Sequence, residues 1–276
     1  MSTITLTASM RSNLSSLKVI QTQMDKTQER LSTGKKVNSA IDNASSYYQA
    51  RSLTNRAADL DSLLDSMGQG VQTIQAANEG IEAITSFVEQ MKSVAESAAA
   101  LDANAEGYDD KVADYAAQFD AIKAQIADIA EDSSYQGVNL LIGNELKVVF
   151  NETRSNDLTV TGKDIVDEMA ITGAAGDAGW KTGVEKITAS IGEITTAVEK
   201  LRSFATELGN NFTVIETRQN FTEAMVDVLE TGADKLVLAD MNEESANYLA
   251  LQTRQQLAIN SLALASQSAQ SVLSLF

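Results

Sequence analysis

Few residues in this sequence have the type and spacing for chemistry. Two acidic pairs, Asp109-Asp110 and Glu243-Glu244, could nominally serve as acid and base or hold a cation. Neither histidine nor cysteine occurs among the 276 residues. That removes the commonest general base, the thiol nucleophile, thiolate metal ligands and any disulfide. Adjacent carboxylates on a helix are far more often a solvated face than catalytic machinery, so no catalytic, cofactor-binding or metal residues are expected. Asn43, Asn151, Asn211 and Asn220 each begin an Asn-x-Ser/Thr tripeptide. Such matches are common by chance and presume a eukaryotic-type secretory route, so they are read as unmodified.

Composition narrows the class further. Lys plus Arg total 21 against 38 Asp plus Glu, a formal charge of −17. That argues against nucleic acid or anionic lipid as a partner. No apolar run reaches the roughly 18–20 residues a membrane helix needs. The opening Met1-Ser2-Thr3-Ile4-Thr5-Leu6 has no basic segment followed by an apolar one, so export by a Sec signal is not expected. Proline is absent where average usage of about 5% would give roughly 14, leaving long unkinked helices free to form almost anywhere.

The elements that carry these residues are written in heptads. Leu6, Met10, Leu14, Leu17, Ile20, Met24 and Leu31 stripe a first helix, which Ser32-Thr33-Gly34 interrupts. Helix-start chemistry follows at Ser39 to Asn43. A second helix, from about Ala44 to Ala100, carries Leu60, Met67, Ile74, Ile81 and Val88 at intervals of seven. A third holds Val112, Phe119, Ile122 and Ile126. Period two then appears in Leu146 to Phe150 and Leu158 to Thr161, the pattern of a β-hairpin. Beyond a glycine-rich stretch from Gly173 to Gly183, helical spacing returns through Ile194, Val198, Leu201 and Leu208, and it weakens at the polar Gln219 and Thr222. The last segment, about Asn242 to Phe276, places Leu251, Ala258, Leu262, Ala265, Ala269 and Val272 on one face, with Leu275 and Phe276 at its end.

The expected fold is mainly α: an elongated antiparallel long-helix bundle, coiled-coil-like, with a small β-hairpin in the middle of the chain. Five segments are expected, at 1–43, 44–135, 136–181, 182–239 and 240–276. Periodicity alone suits an ordinary helical bundle or a dimeric coiled-coil scaffold. Methionines 10, 24, 67 and 91 are read as core, because the flexible thioether fills irregular gaps. Tyr47-Tyr48 is read as a packing cluster.

Specific residues go further than periodicity. Gln28-Glu29-Arg30-Leu31-Ser32-Thr33-Gly34-Lys35-Lys36-Val37-Asn38-Ser39-Ala40-Ile41-Asp42-Asn43-Ala44 resembles the N-terminal signature of bacterial flagellins. Gln252-Thr253-Arg254-Gln255-Gln256-Leu257, Ala265-Ser266-Gln267-Ser268 and Ser271-Val272-Leu273-Ser274-Leu275-Phe276 resemble the C-terminal one. Two signatures at opposite ends, in the right order, are far more specific than one.

The resemblance implies a structural protein rather than an enzyme, a subunit of the extracellular filament serving motility. Terminal helices would form the inner tube, making the stripe residues near both ends the polymerisation contacts. The middle stripes, Leu60 to Val88, Phe119 to Ile126 and Ile194 to Leu208, would be the seam of the rod. Implied partners are further copies of the chain, hook-associated and filament-cap proteins, an export chaperone and the flagellar type III export apparatus. A hook–filament junction protein is the near alternative. In flagellins sensed by the vertebrate flagellin-detecting Toll-like receptor, the second helix presents an arginine that aligns with Gln90 here, and an amide lacks both the charge and the fork of donors. Finally, one apolar stripe per helix cannot offset the entropy of ordering each terminal segment alone. Residues 1 to about 43 and 240–276 are therefore expected to gain lasting helical form only among neighbouring copies.

Overall fold

The computed structural model describes residues 8–174 and 179–273. In chain order it has helices α1 (Ala8–Thr33), α2 (Ala44–Ala99) and α3 (Tyr108–Asp132), strands β1 (Glu145–Val149) and β2 (Asp157–Thr161), a short α4 (Ile165–Met169), one 3-10 turn (Trp180–Thr182), and helices α5 (Val184–Val237) and α6 (Met241–Leu273). The fold is thus mainly helical, with a small two-stranded antiparallel sheet. Two compact units are formed, one from Met1–Ala57 with Asp227–Phe276 and one from Ala58–Val226.

In the second unit, the heptads of α2, the stripe of α3 and that of α5 meet in one core. Met67, Ile84, Met91, Phe119, Ile126, Ile194 and Leu208 are all fully buried there. The hairpin pairs Leu146 with Val160 and Val148 with Leu158, so one face is apolar while Lys147 and Thr159 face water. That face lies close on α2: a Cβ added at Gly70 would come within 2.8 Å of Val148 Cγ2. Gly162, just past β2, is tighter still, because an added Cβ would run into the backbone oxygens of Asn144 and Leu140.

Several buried polar groups here are paired, whereas the buried Tyr108 Oη has no hydrogen-bond partner among the described residues. Asn139 Nδ2 donates to Ala130 O (2.7 Å) and Glu131 O (3.0 Å), and its Oδ1 accepts from Leu141 N (2.9 Å). One side chain thereby satisfies carbonyls left open at the end of α3. Trp180 packs on Phe119 with ring centroids 4.8 Å apart, and its indole N–H donates to Ser190 Oγ at 3.0 Å. Asp120 Oδ1 accepts from Ala174 N (2.7 Å) and Lys123 Nζ donates to Ile171 O (2.6 Å), which folds the central insert back onto α3. Sequence periodicity gave no sign of α4, whose single turn is capped by Asp164 accepting from Val166 N and Asp167 N.

The first unit is built on α1 and α6, which pack along each other in antiparallel fashion. Gln255 Nε2 donates to Gln21 Oε1 (2.7 Å), and Asn13 Nδ2 reaches Ser261 Oγ (3.5 Å).

Candidate assembly surface

The signature run from Gln28 to Ala44 forms a hydrogen-bonded joint. Helix α1 ends at Gly34, whose φ of 71° is left-handed and whose N–H returns to Arg30 O at 2.8 Å. The chain then crosses the α5–α6 corner. Lys36 N donates to Val237 O (2.7 Å), and Ala239 N donates to Gly34 O (2.9 Å). Asn43 Oδ1 accepts from Ser46 N at 3.1 Å and so caps α2. Asp240 Oδ1 does the same for α6, accepting from Asn242 N and Glu243 N.

Asp42 organises the turn between α1 and α2. Its carboxylate lies 3.3 Å from Lys26 Nζ and accepts from Asn38 N, Ser39 N and Ser39 Oγ, each at 3.2 Å. The Lys26 contact first, then the Asn38 amide, holds this carboxyl below the usual carboxylate range, with Ser39 adding to the effect and partial desolvation opposing it.

The acidic pairs have structural surroundings. Asp109-Asp110 sits in the first turn of α3 and Glu243-Glu244 in the first turn of α6, where negative charge meets the positive end of the helix dipole. Glu244 also pairs with Arg30. No cluster of three metal-ligating side chains occurs among the described residues. Asn151 caps the hairpin loop, its Nδ2 donating to Thr153 Oγ1 and Ser155 Oγ. Tyr47 and Tyr48 meet edge to face at 5.5 Å, though Tyr48 is largely exposed.

The stripe residues near the chain ends divide in two. On α1, Met10 is buried and Leu17, Ile20, Met24 and Leu31 are half-buried. On α6, Leu251 is buried and Ala258, Leu262 and Ala265 are half-buried. These seams run on faces with three- and four-residue spacing, and the pair brings them together. Leu14 stands apart, 49% exposed. Leu6, Leu275 and Phe276 lie outside the described residues, as do the side chains of Ala269 and Val272. In the second unit Leu60, Met67, Ile74, Ile81, Val88, Phe119, Ile126, Ile194, Leu201 and Leu208 are buried, while Ile122 and Val198 are half-buried. Gln90 is exposed on α2.

Sequence reasoning missed a second apolar face on α6. Leu249, Leu257 and Leu264 are 62%, 62% and 68% exposed, and their spacings of eight and seven place them on the side of the helix opposite Leu251 and Ala258. Ile259 on α6 and Val19 on α1 are about half exposed. The signal was legible as leucines falling outside the first stripe.

Charge is partitioned as well. The first unit holds 10 Lys/Arg against 9 Asp/Glu, and the second holds 11 against 29. Nearly neutral and −18 respectively, they put the whole excess on the second unit. No described helix is long and apolar enough to cross a membrane.

Residues 2–145 match the family model of the bacterial flagellin N-terminal helical region, and residues 191–276 match that of the C-terminal helical region. Flagellin FljM of Caulobacter vibrioides is 30% identical over 264 residues, covering 95% of this chain and 94% of that protein. Flagellin FljK of the same organism is 31% identical with the same coverage. A flagellin of Brucella melitensis biotype 1 is 31% identical over 285 residues, covering 98% of this chain and 99% of its own length. With both terminal regions matched and relatives aligned along almost the full length, this chain belongs to the bacterial flagellins.

Proposed function

We propose that this flagellin joins its neighbours through the α1–α6 pair, with the outward leucines of α6 as principal contacts. As a member of its family it is a structural subunit of the flagellar filament and serves motility, a reading the full-length matches favour over a junction protein or a non-flagellar scaffold. The observation that carries the finer reading is the pair's unspent apolar surface. Leu14, Val19, Leu249, Leu257, Ile259 and Leu264 stand in water on two helices that are already paired with each other. Leu249, Leu257 and Leu264 share one face of α6, an exposed apolar stripe that fits a protein-binding surface, and in a filament the neighbours are other copies.

Under this reading the seam residues Met10, Leu17, Ile20, Met24, Leu31, Leu251, Ala258, Leu262 and Ala265 hold the hairpin of terminal helices, and neighbouring copies cover its outside. The chain has no catalytic role. It works outside the cell after passing the flagellar type III apparatus with an export chaperone, and it meets hook-associated and cap proteins at the filament's ends. The near-neutral first unit supports crowding of that unit, because charge repulsion between copies is then left to the second.

Leu257→Asp tests the contact. Electron microscopy of the concentrated variant is expected to show no filaments while Trp180 fluorescence, which reports the second unit, stays unchanged. Filaments of parent length at parent concentration would refute it.

A further inference from the structure

We propose that a cleft between α1 and α6 binds a free oxyanion of the phosphate class, an inference independent of which residues meet neighbouring copies. The cleft has a volume of about 320 Å³ and lies wholly within the first unit. Lys26, Thr27 and Arg30 line it from α1, and Glu244, Asn247 and Arg254 line it from α6.

Positive charge is left over there. Glu244 is matched by Arg30 at 2.7 Å, and Lys26 by Asp42 at 3.3 Å. Arg254 is the one cation on α6, and it forms no ion pair among the described residues. An exposed arginine by itself would simply be solvated. Thr27 sets this one apart, because it is only 7% exposed and its hydroxyl has no hydrogen-bond partner among the described residues. Buried hydroxyls are nearly always paired, so an unpaired one on the wall of a cleft points to a ligand that completes it. Arg30 gives Glu244 only Nη1, and its Nη2 and the Asn247 amide are likewise unspent.

The chemistry of this set selects the occupant. It is rich in donors, and its single carboxylate is already taken. A phosphate-class oxyanion supplies what is missing: acceptors on several sides, and the charge that a guanidinium holds through paired N–H groups. A neutral ligand would leave Arg254 unmatched, and a cation would meet three like charges against one carboxylate. The first unit, with 10 basic and 9 acidic residues, does not repel an anion as the second, at −18, would. Because the donors come from both helices, a bound anion favours the paired form of α1 and α6, to an extent that grows with its concentration.

Equilibrium dialysis of radiolabelled inorganic phosphate against filaments of the full-length chain, at constant ionic strength, provides the test. Uptake is expected to saturate at about one phosphate per chain, as for a single site. Arg254→Gln should weaken it about ten- to a hundredfold, the worth of a charge-assisted hydrogen bond. Arg254→Lys, which keeps the charge, should weaken it less. Thr27→Val, which removes the hydroxyl and keeps the branched shape, should weaken it about two- to tenfold. In chloride alone the variants should dissociate on heating at the parent's temperature. Parent filaments with no saturable uptake overturn the site, and so does an affinity that Arg254→Gln leaves unchanged. If Arg254→Gln forms no filaments, an unchanged affinity in Thr27→Val overturns it instead. Loss of uptake only in step with loss of heat stability in chloride also counts against it, since Arg254 and Thr27 would then belong to the helix pair alone.

Discussion

Arg30 Nη1 donates to Glu244 Oε1 at 2.7 Å, tying the last turn of α1 to the first turn of α6 across 214 residues of sequence. Both charges sit at the helix ends that favour them, the cation near a C-terminus and the anion near an N-terminus. Glu244 is nine-tenths buried, and Arg30 Nε has no hydrogen-bond partner among the described residues, so the guanidinium uses one arm of its fork. Glu244→Ala would leave the arginine charge unpaired, and it is expected to cost the first unit about 1.5–3 kcal/mol. Arg30→Lys, which keeps a charged donor, should cost less. Heat dissociation of filaments followed by light scattering measures both; equal effects would contradict the single-arm geometry.

Acid should loosen the same joint through Asp42. Its folded pKa lies below its unfolded value, chiefly because of Lys26 and then the Asn38 amide, so folding favours the charged form. The contribution is present above the ordinary carboxylate pKa of about 4 and is lost as pH falls through the lowered folded value. Asp42→Asn should therefore dissociate at a lower temperature than the parent at neutral pH and converge with it in strong acid. A difference that stays constant between pH 7 and pH 2 would rule out this linkage.

Gly162 offers a steric prediction in the second unit. Because the space for a Cβ is occupied by backbone oxygens rather than by flexible side-chain ends, Gly162→Ala cannot be relieved by a rotamer change. A loss of about 3 kcal/mol is expected, at the upper end for overpacking. Gly70→Ala, which meets only Val148 and Leu146 side-chain atoms, should lose less. Urea unfolding followed by the buried Trp180 reports this unit, and a milder effect at Gly162 than at Gly70 would contradict the ranking.

Gln90 carries a prediction about recognition by a host. It is exposed on α2 at the position where the family resemblance places a receptor-binding arginine. The parent protein should signal weakly through the vertebrate flagellin-detecting receptor, and Gln90→Arg should raise the response of reporter cells. A parent response as strong as that of an arginine-bearing flagellin would count against the assignment.

Much of the fold was legible because its determinants are local. Heptads set the helices, Gly34 ended α1, Asn43 started α2, and the alternation in Leu146 to Phe150 marked the hairpin. Other features depend on what a residue meets. A leucine at 251 and one at 257 look alike in sequence, yet one faces α1 and the other faces water, since periodicity defines a stripe without naming its partner. Ile41 has the composition of a core residue and is held outside by the turn's hydrogen bonds. The Arg30–Glu244 pair joins residues too far apart for any spacing rule to link.

Hydrogen exchange along α1 and α6, compared between the unpolymerised chain and the filament, tests the account most directly. A lone pair of helices with leucines exposed on its outer face should open readily, so slow exchange in residues 8–33 and 241–273 is expected only in the filament. Equally strong protection of both segments before polymerisation would show that they need no neighbours to be stable, and it would contradict the account.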